Sequence, residues 1–560
     1  MLLKIVALAV VFLNGHICQQ VNTPDGPILG TTEYSIAGTP YSSFYSIPYA
    51  KPPVGTLRFQ APQAVEPWTE VYNATTEQKR VCYQLYQDLP EETEDCLLLN
   101  VYVPQSNATD LPVMLFIHGG GFISGSGLNG GPQGFYRPNF WMDNNVILIS
   151  INYRLGVFGF FSTGDEIIPG NNGLKDQVQA MKWVQRNIAS FGGDPKKVLI
   201  FGQSAGSASV GWHLLSSSST GLFRAAILQS GTPLCPWAYQ RNQTTISYKT
   251  ASLIDSQFNT SRDSNKLLEV LQSVDAKAID DAALTFANWD SSQPSWAERK
   301  QLEQGFYFAP VVEVENNDSF VTGYPYVILE NGNFNKIPIM IGTDADEGLM
   351  NLSEYLDSQL AAYDEAYSRM NPGNLHLVDA QDISEVGNAI KEEYSPNDTF
   401  LNNKLGAFEY FTEQDFTKSI VKHAELHSAE ASTYFYEFSY SGEMGFNTYY
   451  RYPGSTNITH GEEMGYIFST ADPNNFSVAD QLVHKRLLRL WINFATYLNP
   501  TPEVDELLQN ITWPELKPGA FKFVNILSDL VVTAGTPKAK RIAFWDSLYE
   551  KYGIKPFDTY

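Results

Sequence analysis

Residues 198–206 read VLIFGQSAG, and this stretch decides the fold. Its first four residues are an apolar run that predicts a buried strand, and the stretch SASVGWHLL that follows favours a helix. A serine framed as Gly-x-Ser-x-Gly between a strand and a helix is typical of a nucleophile held on a tight turn, where both glycines allow close backbone approach. The alternative is a chance match in an ordinary turn, which the flanking strand and helix make the minority interpretation. We therefore take Ser204 as the candidate nucleophile.

Other apolar runs of strand length recur along the chain and are mostly unbroken, as in strands buried on both faces. They are Val113–Ile117, Val146–Ile151, Val198–Phe201, Ala225–Leu228, Ile337–Ile341 and Tyr434–Phe438. Amphipathic segments lie between them, the clearest beginning at Leu174 and ending at FGGDP, residues 191–195. Strands that alternate with helices predict a large, mostly parallel central sheet with helices on both faces, in a single α/β domain.

A serine hydroxyl needs a base, and His460 is the candidate among the eight histidines. It lies in a polar loop late in the chain, as expected where the order is nucleophile, acid, base. The acid is then expected between Ser204 and His460, just after a strand. IPIMIGTDADEGL supplies it, with Glu347 as the leading candidate and Asp344 or Asp346 as alternatives.

The remaining histidines are weaker candidates for the base. His213 lies too far along the predicted helix from Ser204 to reach back. His423 and His427 are spaced like a pair of metal ligands, but HAELH is not HExxH, so we expect an exposed helix face there. His16 falls in the N-terminal segment, and the surroundings of His376 and His484 suggest no role.

The predicted strand VMLFI ends in HGGGF, His118 to Phe122. Three glycines let backbone N–H groups approach a tetrahedral oxyanion, together with the N–H of Ala205. The alternative, a phosphate cradle, is weak because no GxxxxGK[ST] lysine follows. We expect His118 to shape the loop rather than act as a base.

Composition and targeting signals indicate an exported globular protein. The net charge of −24 argues against binding nucleic acid or anionic lipid. Residues 1–18 resemble a signal peptide with an uncertain cleavage site, the alternative being a buried N-terminal strand, and 19–560 form the predicted domain. The C-terminus has no apolar tail, which predicts a free, secreted protein without a stable membrane anchor. The ten Asn-x-Ser/Thr sequons, candidates for glycosylation, are Asn73, Asn107, Asn242, Asn259, Asn317, Asn351, Asn397, Asn457, Asn475 and Asn510.

The chain has four cysteines. Cys82 and Cys96 enclose a polar loop and are the expected disulfide, which would stabilise the fold by roughly 3 kcal/mol. Cys18 lies at the end of the signal segment. Cys235 is left as a free thiol, an intermolecular link or a partner of Cys18.

Together, several motifs resemble the type-B carboxylesterase and cholinesterase family of α/β-hydrolases, most closely secreted insect carboxylesterases, including juvenile hormone esterase-like and odorant- or pheromone-degrading enzymes. The motifs are PPVGTLRFQAP (52–62), EDCLLLNVYVP (94–104), HGGGF, NYRLGVFGF (152–160), NNGLKDQVQAMKWVQRNIASFGGDP (171–195), FGQSAG, AILQSG (226–231), DEGL (346–349) and THGEEMGYIF (459–468).

The resemblance implies a hydrolase fold, a Ser204–Glu347–His460 triad, and an oxyanion hole formed by Gly120, Gly121 and Ala205. It also supports the disulfide between Cys82 and Cys96. Structural ion pairs are implied as well, namely Arg58–Glu94 and Arg154–Asp176.

Departures from the family pattern narrow the expected substrate. The Cys82–Cys96 loop is short and lacks the tryptophan on which cholinesterases stack choline. Gln203 stands where many relatives carry glutamate, and it resembles the juvenile hormone esterase pattern, whereas Asn457 stands where that group has glycine. We expect uncharged, fairly apolar esters: juvenile hormone, pheromone or odorant esters, or dietary and xenobiotic esters.

The predicted activity is that of a serine carboxylic ester hydrolase with no metal and no organic cofactor, acting on a small-molecule ester as a monomer or weak homodimer. Two alternatives are an inactive esterase-like adhesion protein and a lipase that acts at lipid interfaces. The first is disfavoured because all three triad residues and the glycine loop are present. The second predicts activation by micelles.

Overall fold

A twisted mixed sheet forms the centre of the protein. The computed structural model describes residues 9–13, 16–106, 108–128, 136–291, 305–353, 355–445, 450–468 and 471–560. The strands are β1 (Ala9–Leu13), β2 (His16–Asn22), β3 (Pro27–Tyr34), β4 (Pro40–Pro48), β5 (Tyr72–Asn73), β6 (Leu98–Pro104), β7 (Leu111–Ile117), β8 (Ile147–Ile151), β9 (Gly193–Gln203), β10 (Ala225–Gln229), β11 (Ile339–Asp344), β12 (Thr433–Phe438), β13 (Lys522–Ile526) and β14 (Leu530–Ala534).

Helices occupy the connections between these strands. They are α1 (Gly156–Phe160), α2 (Asn172–Asn187), α3 (Ala205–Leu215), α4 (Gln243–Ile254), α5 (Ser264–Ser273), α6 (Ala276–Ser291), α7 (Pro325–Glu330), α8 (Leu356–Glu365), α9 (Ala380–Tyr394), α10 (Lys404–Thr412), α11 (Lys418–Ser428), α12 (Met464–Ile467), α13 (Val478–Tyr497) and α14 (Ala539–Tyr552). A π-helical segment, Glu413–Thr417, joins α10 to α11.

The parallel part of the sheet is its middle. In the order β8-β7-β9-β10-β11-β12-β13, every neighbouring pair is parallel. Antiparallel pairs extend the sheet through β6, β4, β3, β2 and β1 on one side and through β14 on the other. The α/β-hydrolase architecture predicted from the sequence is therefore present. The predicted apolar runs correspond to the parallel strands β7 to β12, whereas β13 was not predicted.

Those runs are unbroken because both faces of the sheet are covered. Along β7, Val113, Leu115 and Ile117 belong to one buried cluster, whereas Met114 and Phe116 belong to the other. Residues of α2 and α3 pack into the first cluster, and residues of α13 pack into the second. Alternate side chains of one strand therefore supply two separate cores, one under each layer of helices.

The described part of the N-terminal segment forms strand structure. β1 pairs antiparallel with β2, which continues into the sheet through β3. Residues 1–8, 14 and 15 of the expected signal peptide lie outside the described residues. The removal of residues 1–18 on export stays a prediction.

Candidate active site

Ser204 occupies the sharp turn between β9 and α3. Its backbone has φ 60° and ψ −126°, a conformation that L-residues rarely adopt, and its N–H donates to the carbonyl of Gln229 over 2.9 Å. A Cβ atom on Gly206 would lie 2.0 Å from the carbonyl oxygen of Ile117, and one on Gly202 would lie 2.6 Å from the backbone of Gly206. Strand and helix therefore approach closely only because both positions are glycine. The predicted elbow is present.

The glycine loop after β7 lies directly against this turn. A Cβ atom on Gly119 would be 2.9 Å from the Cβ of Ser204. Gly120 and Gly121 have φ of 103° and 62°, in the region that favours glycine. The N–H of Ala205 opens α3, where no intrahelical acceptor exists for it. The structure thus brings the three expected oxyanion donors to the vicinity of Ser204.

His118 shapes this loop, as the sequence predicted. Its Nδ1 lies 2.8 Å from the carbonyl oxygen of Gly119, and its ring stacks on Tyr153 with centroids 4.4 Å apart. Burial lowers the pKa of His118 to about 4, so the ring is neutral at physiological pH and Nδ1–H donates to the carbonyl.

His460 and Glu347 form a buried pair. Nδ1 of His460 lies 2.5 Å from Oε2 of Glu347, whose side chain is fully buried. The other oxygen, Oε1, accepts hydrogen bonds from the hydroxyl of Thr343 at 2.8 Å and the N–H of Asp344 at 2.9 Å. The carboxylate is held on both sides and aligned with the imidazole. Nε2 of His460 lies 3.1 Å from the side-chain nitrogen of Gln203, the residue before Ser204.

The two alternative acids have other partners. Oδ2 of Asp344 accepts the backbone N–H groups of Gly461 and Glu462, at 2.8 and 3.1 Å. Asp346 accepts the N–H and hydroxyl of Thr456 at 2.7 and 2.6 Å. Of the three candidates from the sequence, Glu347 is therefore the one hydrogen-bonded to the imidazole of His460.

A second acidic pair, missed by sequence reasoning, lies behind the His460 loop. Asp344 and Glu463 are fully buried and hydrogen-bond to each other through their side chains. Burial and the neighbouring Glu463 carboxyl raise the pKa of Asp344 well above its usual value. Burial therefore favours the protonated form of the pair, and Oε1 of Glu463 accepts from Nε2 of Gln229 at 3.0 Å.

Aromatic side chains form a wall beside His460 and the glycine loop. The ring of Phe416, in the π-helical segment, lies 4.6 Å from that of His460. Trp237 packs against Phe416, Phe306 and Phe122, with centroids 5.6, 6.1 and 6.4 Å apart. The indole N–H of Trp237 donates to the carbonyl of Asp415 at 2.8 Å, which fixes the ring. No sequence pattern pointed to this wall, because its members are distant in the chain.

The other predicted candidates have structural partners. His213 contacts Ser219 and Gln177, each at 2.8 Å, and lies in the core. The expectation that His423 and His427 lie on an exposed helix face was wrong, because both are fully buried against the sheet and contact Thr232 and Thr433 through Nδ1. In the same way, His484 contacts the carbonyl of Tyr466, and the partly exposed His376 lies 3.8 Å from Asp558.

The predicted disulfide and ion pairs are present. Cys82 is bonded to Cys96. Arg58 contacts Glu94 at 2.6 Å, and Arg154 contacts Asp176 at 2.7 Å.

Cys235 is a fully buried free thiol, and an intermolecular disulfide at this position would require the protein to open. Within the described ranges, no group of three or more acidic, histidine or cysteine side chains could hold a metal ion, and no helix is long and apolar enough to cross a membrane.

Comparisons with known proteins agree with this geometry. Residues 18–545 match the model of the Carboxylesterase family. The chain is 35% identical over 517 residues to Esterase FE4 of Myzus persicae, covering 86% of this chain and 85% of that protein. It is 33% identical over 563 residues to Juvenile hormone esterase of Tribolium castaneum, with coverage of 94% and 90%. The crystal structure of juvenile hormone esterase from Manduca sexta, with OTFP covalently attached, superposes with a TM-score of 0.81 at 28% identity, covering 95% of this chain and 99% of that one. The chain therefore belongs to the carboxylesterase family and is a carboxylic ester hydrolase.

Proposed function

We propose that this hydrolase acts through an acyl-enzyme on Ser204, with His460 as general base and Glu347 as the acid that orients it. The observation that carries the proposal is the 2.5 Å contact between Nδ1 of His460 and Oε2 of Glu347, on a loop that also contacts the residue preceding Ser204. Because Nδ1 is engaged by the carboxylate, Nε2 is the imidazole nitrogen left to exchange protons with the serine.

Each step follows from these positions. Oγ of Ser204 attacks the ester carbonyl carbon while its proton passes to Nε2 of His460. The tetrahedral intermediate then collapses, the C–O bond to the alcohol breaks, and Nε2 returns the proton to the leaving oxygen. Water then attacks the acyl carbonyl carbon while its proton passes to Nε2 of His460. The C–O bond to Ser204 breaks, Nε2 returns the proton to Oγ, and the carboxylic acid leaves. Glu347 stabilises the imidazolium in both halves of the reaction.

The negative oxygen of the intermediate is stabilised by the N–H groups of Gly120, Gly121 and Ala205. Glycines at positive φ support this role, since they let the loop present its backbone to the elbow. The N-terminus of α3 adds the positive end of a helix dipole at the same place.

The substrates are uncharged, fairly apolar esters of the juvenile hormone, pheromone or odorant, or dietary and xenobiotic classes. Two observations support this. The wall of Phe416, Trp237, Phe306 and Phe122 offers apolar surface beside His460, and the neighbouring side chain of Gln203 is a neutral amide. Two similar proteins carry the name juvenile hormone esterase.

The protein is secreted, glycosylated and a monomer or weak homodimer. The disulfide between Cys82 and Cys96 supports an oxidising compartment. Asn107 lies outside the described residues, and the other nine sequon asparagines differ in their solvent exposure. The exposed asparagines are Asn73, Asn259, Asn317, Asn397, Asn475 and Asn510, whereas Asn242, Asn351 and Asn457 are only half-exposed. Glycans are therefore expected first at the exposed set.

The mechanism is tested with Ser204→Ala, assayed on p-nitrophenyl esters, juvenile hormone and volatile acetates. The proposal expects at least about a 10³-fold loss of kcat on every ester that the native enzyme hydrolyses. Retained activity in the variant would exclude Ser204 as the nucleophile. A rate that rises only above the micelle-forming concentration of the ester would instead favour the interfacial lipase.

A further inference from the structure

The side-chain amide of Gln203 contacts Nε2 of His460, the nitrogen that exchanges protons with Ser204 in the proposed mechanism. A neutral imidazole carries one N–H donor and one lone-pair acceptor. With the Nδ1 proton directed at Glu347, Nε2 is the acceptor, and the side-chain N–H of Gln203 donates to it over 3.1 Å. This hydrogen bond can form only while the imidazole is neutral, because an imidazolium has a proton on Nε2.

The Gln203 side chain is held in place for this contact. It ends β9, is 7% exposed, and its amide oxygen lies 3.2 Å from where a Cβ atom on Gly119 would stand. The amide therefore spans the gap between the glycine loop and His460, immediately beside Ser204.

The loop that carries His460 has separate anchors. Gln229 pairs in register with Gln203 on the neighbouring strand, and its amide donates to Glu463. Asp344 accepts the N–H groups of the two residues that follow His460. The loop thus has anchors other than Gln203, whose side-chain N–H contacts Nε2 of His460.

We propose that Gln203 is a positioning residue whose side-chain N–H donates to Nε2 of His460 in the resting enzyme, holds the imidazole beside Ser204, and gives up that lone pair when Nε2 accepts the proton of Ser204. The inference rests on the proposed serine mechanism and adds a role for the second residue of the Gly-Gln-Ser-Ala-Gly turn. The acidic groups on the elements around His460 include Glu347 in direct contact, Asp344, Glu462 and Glu463 behind its loop, and Asp415, next to Phe416, whose pKa burial raises to about 7. They stay the same in every variant, so differences between variants report residue 203.

The test is the pH dependence of kcat/KM on p-nitrophenyl butyrate, an ester without charge from pH 5 to 9. Gln203→Glu has the same shape but introduces a carboxylate. The carboxylate accepts a hydrogen bond from a protonated Nε2 and therefore favours the imidazolium form of His460. Gln203→Met is similar in length and removes the donor. Gln63→Glu, at an exposed position, controls for one added negative charge. The rate of inactivation by an uncharged organophosphate is measured over the same pH range, as a second report on the same base.

The acid limb of both profiles should move up by about one pH unit in Gln203→Glu and by about half a unit in Gln203→Met, with Gln63→Glu matching the native enzyme. A limb that stays in place in Gln203→Glu, or moves down in Gln203→Met, would overturn the inference. The Ser204→Ala variant in the same assay separates the two proposals. If Ser204→Ala retains activity, the serine mechanism itself fails. If Ser204→Ala is inactive but the acid limb of Gln203→Glu stays in place, only the role of Gln203 fails.

Discussion

Asp344 and Glu463 form a buried pair of hydrogen-bonded carboxyl groups directly behind the loop that carries His460. Two like charges in such a place would repel strongly, so burial and the neighbouring carboxyl both raise the pKa of Asp344 and favour a protonated pair. The pair connects the end of β11 to the histidine loop through the N–H groups of Gly461 and Glu462. The pair therefore helps to hold the loop of His460 in place.

Removing Asp344 should cost more stability than making it neutral. Asp344→Ala removes the acceptor of the Gly461 N–H and the partner of one carboxyl oxygen of Glu463, which should lower the free energy of unfolding by about 3 kcal/mol. Asp344→Asn keeps an oxygen for the N–H groups and an amide donor for Glu463, so we expect a loss under about 1 kcal/mol at pH 7. Urea unfolding of both variants measures the difference. Equal losses would contradict a protonated pair.

The same pair predicts a dependence of stability on pH. The folded-state pKa of Asp344 is raised, so the stability it contributes is complete below its unfolded pKa near 4 and declines as pH rises toward the folded pKa. Over that window the native protein should lose up to about 1.4 kcal/mol per pH unit relative to Asp344→Asn, which lacks the titrating group. Unfolding curves from pH 4 to 8 test this. A constant difference between the two proteins would show that Asp344 is ionised in the fold.

Glu347 should be the carboxylate on which activity depends. In Glu347→Gln the side chain keeps its place but loses the charge that stabilises the imidazolium, so kcat should fall about 10³- to 10⁴-fold. Asp346→Asn, one residue away, is the matched control, because its oxygen still accepts from Thr456. Steady-state assays of the two variants distinguish them. A larger loss in the Asp346 variant would reassign the acid.

His118 should act through the shape of the glycine loop. His118→Ala frees the carbonyl of Gly119, which fixes the peptide that carries the N–H of Gly120, so kcat/KM should fall about 10- to 100-fold. In His118→Asn the amide nitrogen replaces Nδ1 and should keep most of the activity. Inhibition by a trifluoromethyl ketone, which forms a tetrahedral oxyanion, should weaken in parallel with kcat/KM. If His118→Ala changes the rate without changing that inhibition, the loop is not what His118 supports.

The aromatic wall should set substrate size. Trp237→Leu removes ring area beside the glycine loop and should shift the preferred ester by one or two methylene groups, changing the ratio of kcat/KM for long and short chains about 10-fold. Two series are measured, acyl chains on p-nitrophenol and alkyl acetates. Trp68→Leu, on the β3–β5 side of the sheet, is the control. Unchanged ratios in both series would place the substrate elsewhere.

Local patterns predicted much of this structure. Unbroken apolar runs located the parallel strands β7 to β12 but not β13, and the Gly-x-Ser-x-Gly turn located the elbow, because both signals depend on residues adjacent in sequence. Local spacing left three carboxylates as candidates and the family resemblance implied Glu347, which the fold places against His460, 113 residues away. Burial of His423 was mispredicted because periodicity on one helix does not reveal the sheet that covers it. The Asp344–Glu463 pair is likewise a product of tertiary contact.

The most direct test of the serine mechanism is to trap its intermediate. The enzyme is mixed with excess p-nitrophenyl butyrate, quenched in acid within milliseconds, and digested for mass spectrometry, with His460→Asn as a variant expected to form little acyl-enzyme. The account predicts one butyryl group per active site, on the peptide that contains Ser204. A burst of p-nitrophenol with Ser204 unmodified, or an acyl group on another residue, would contradict it.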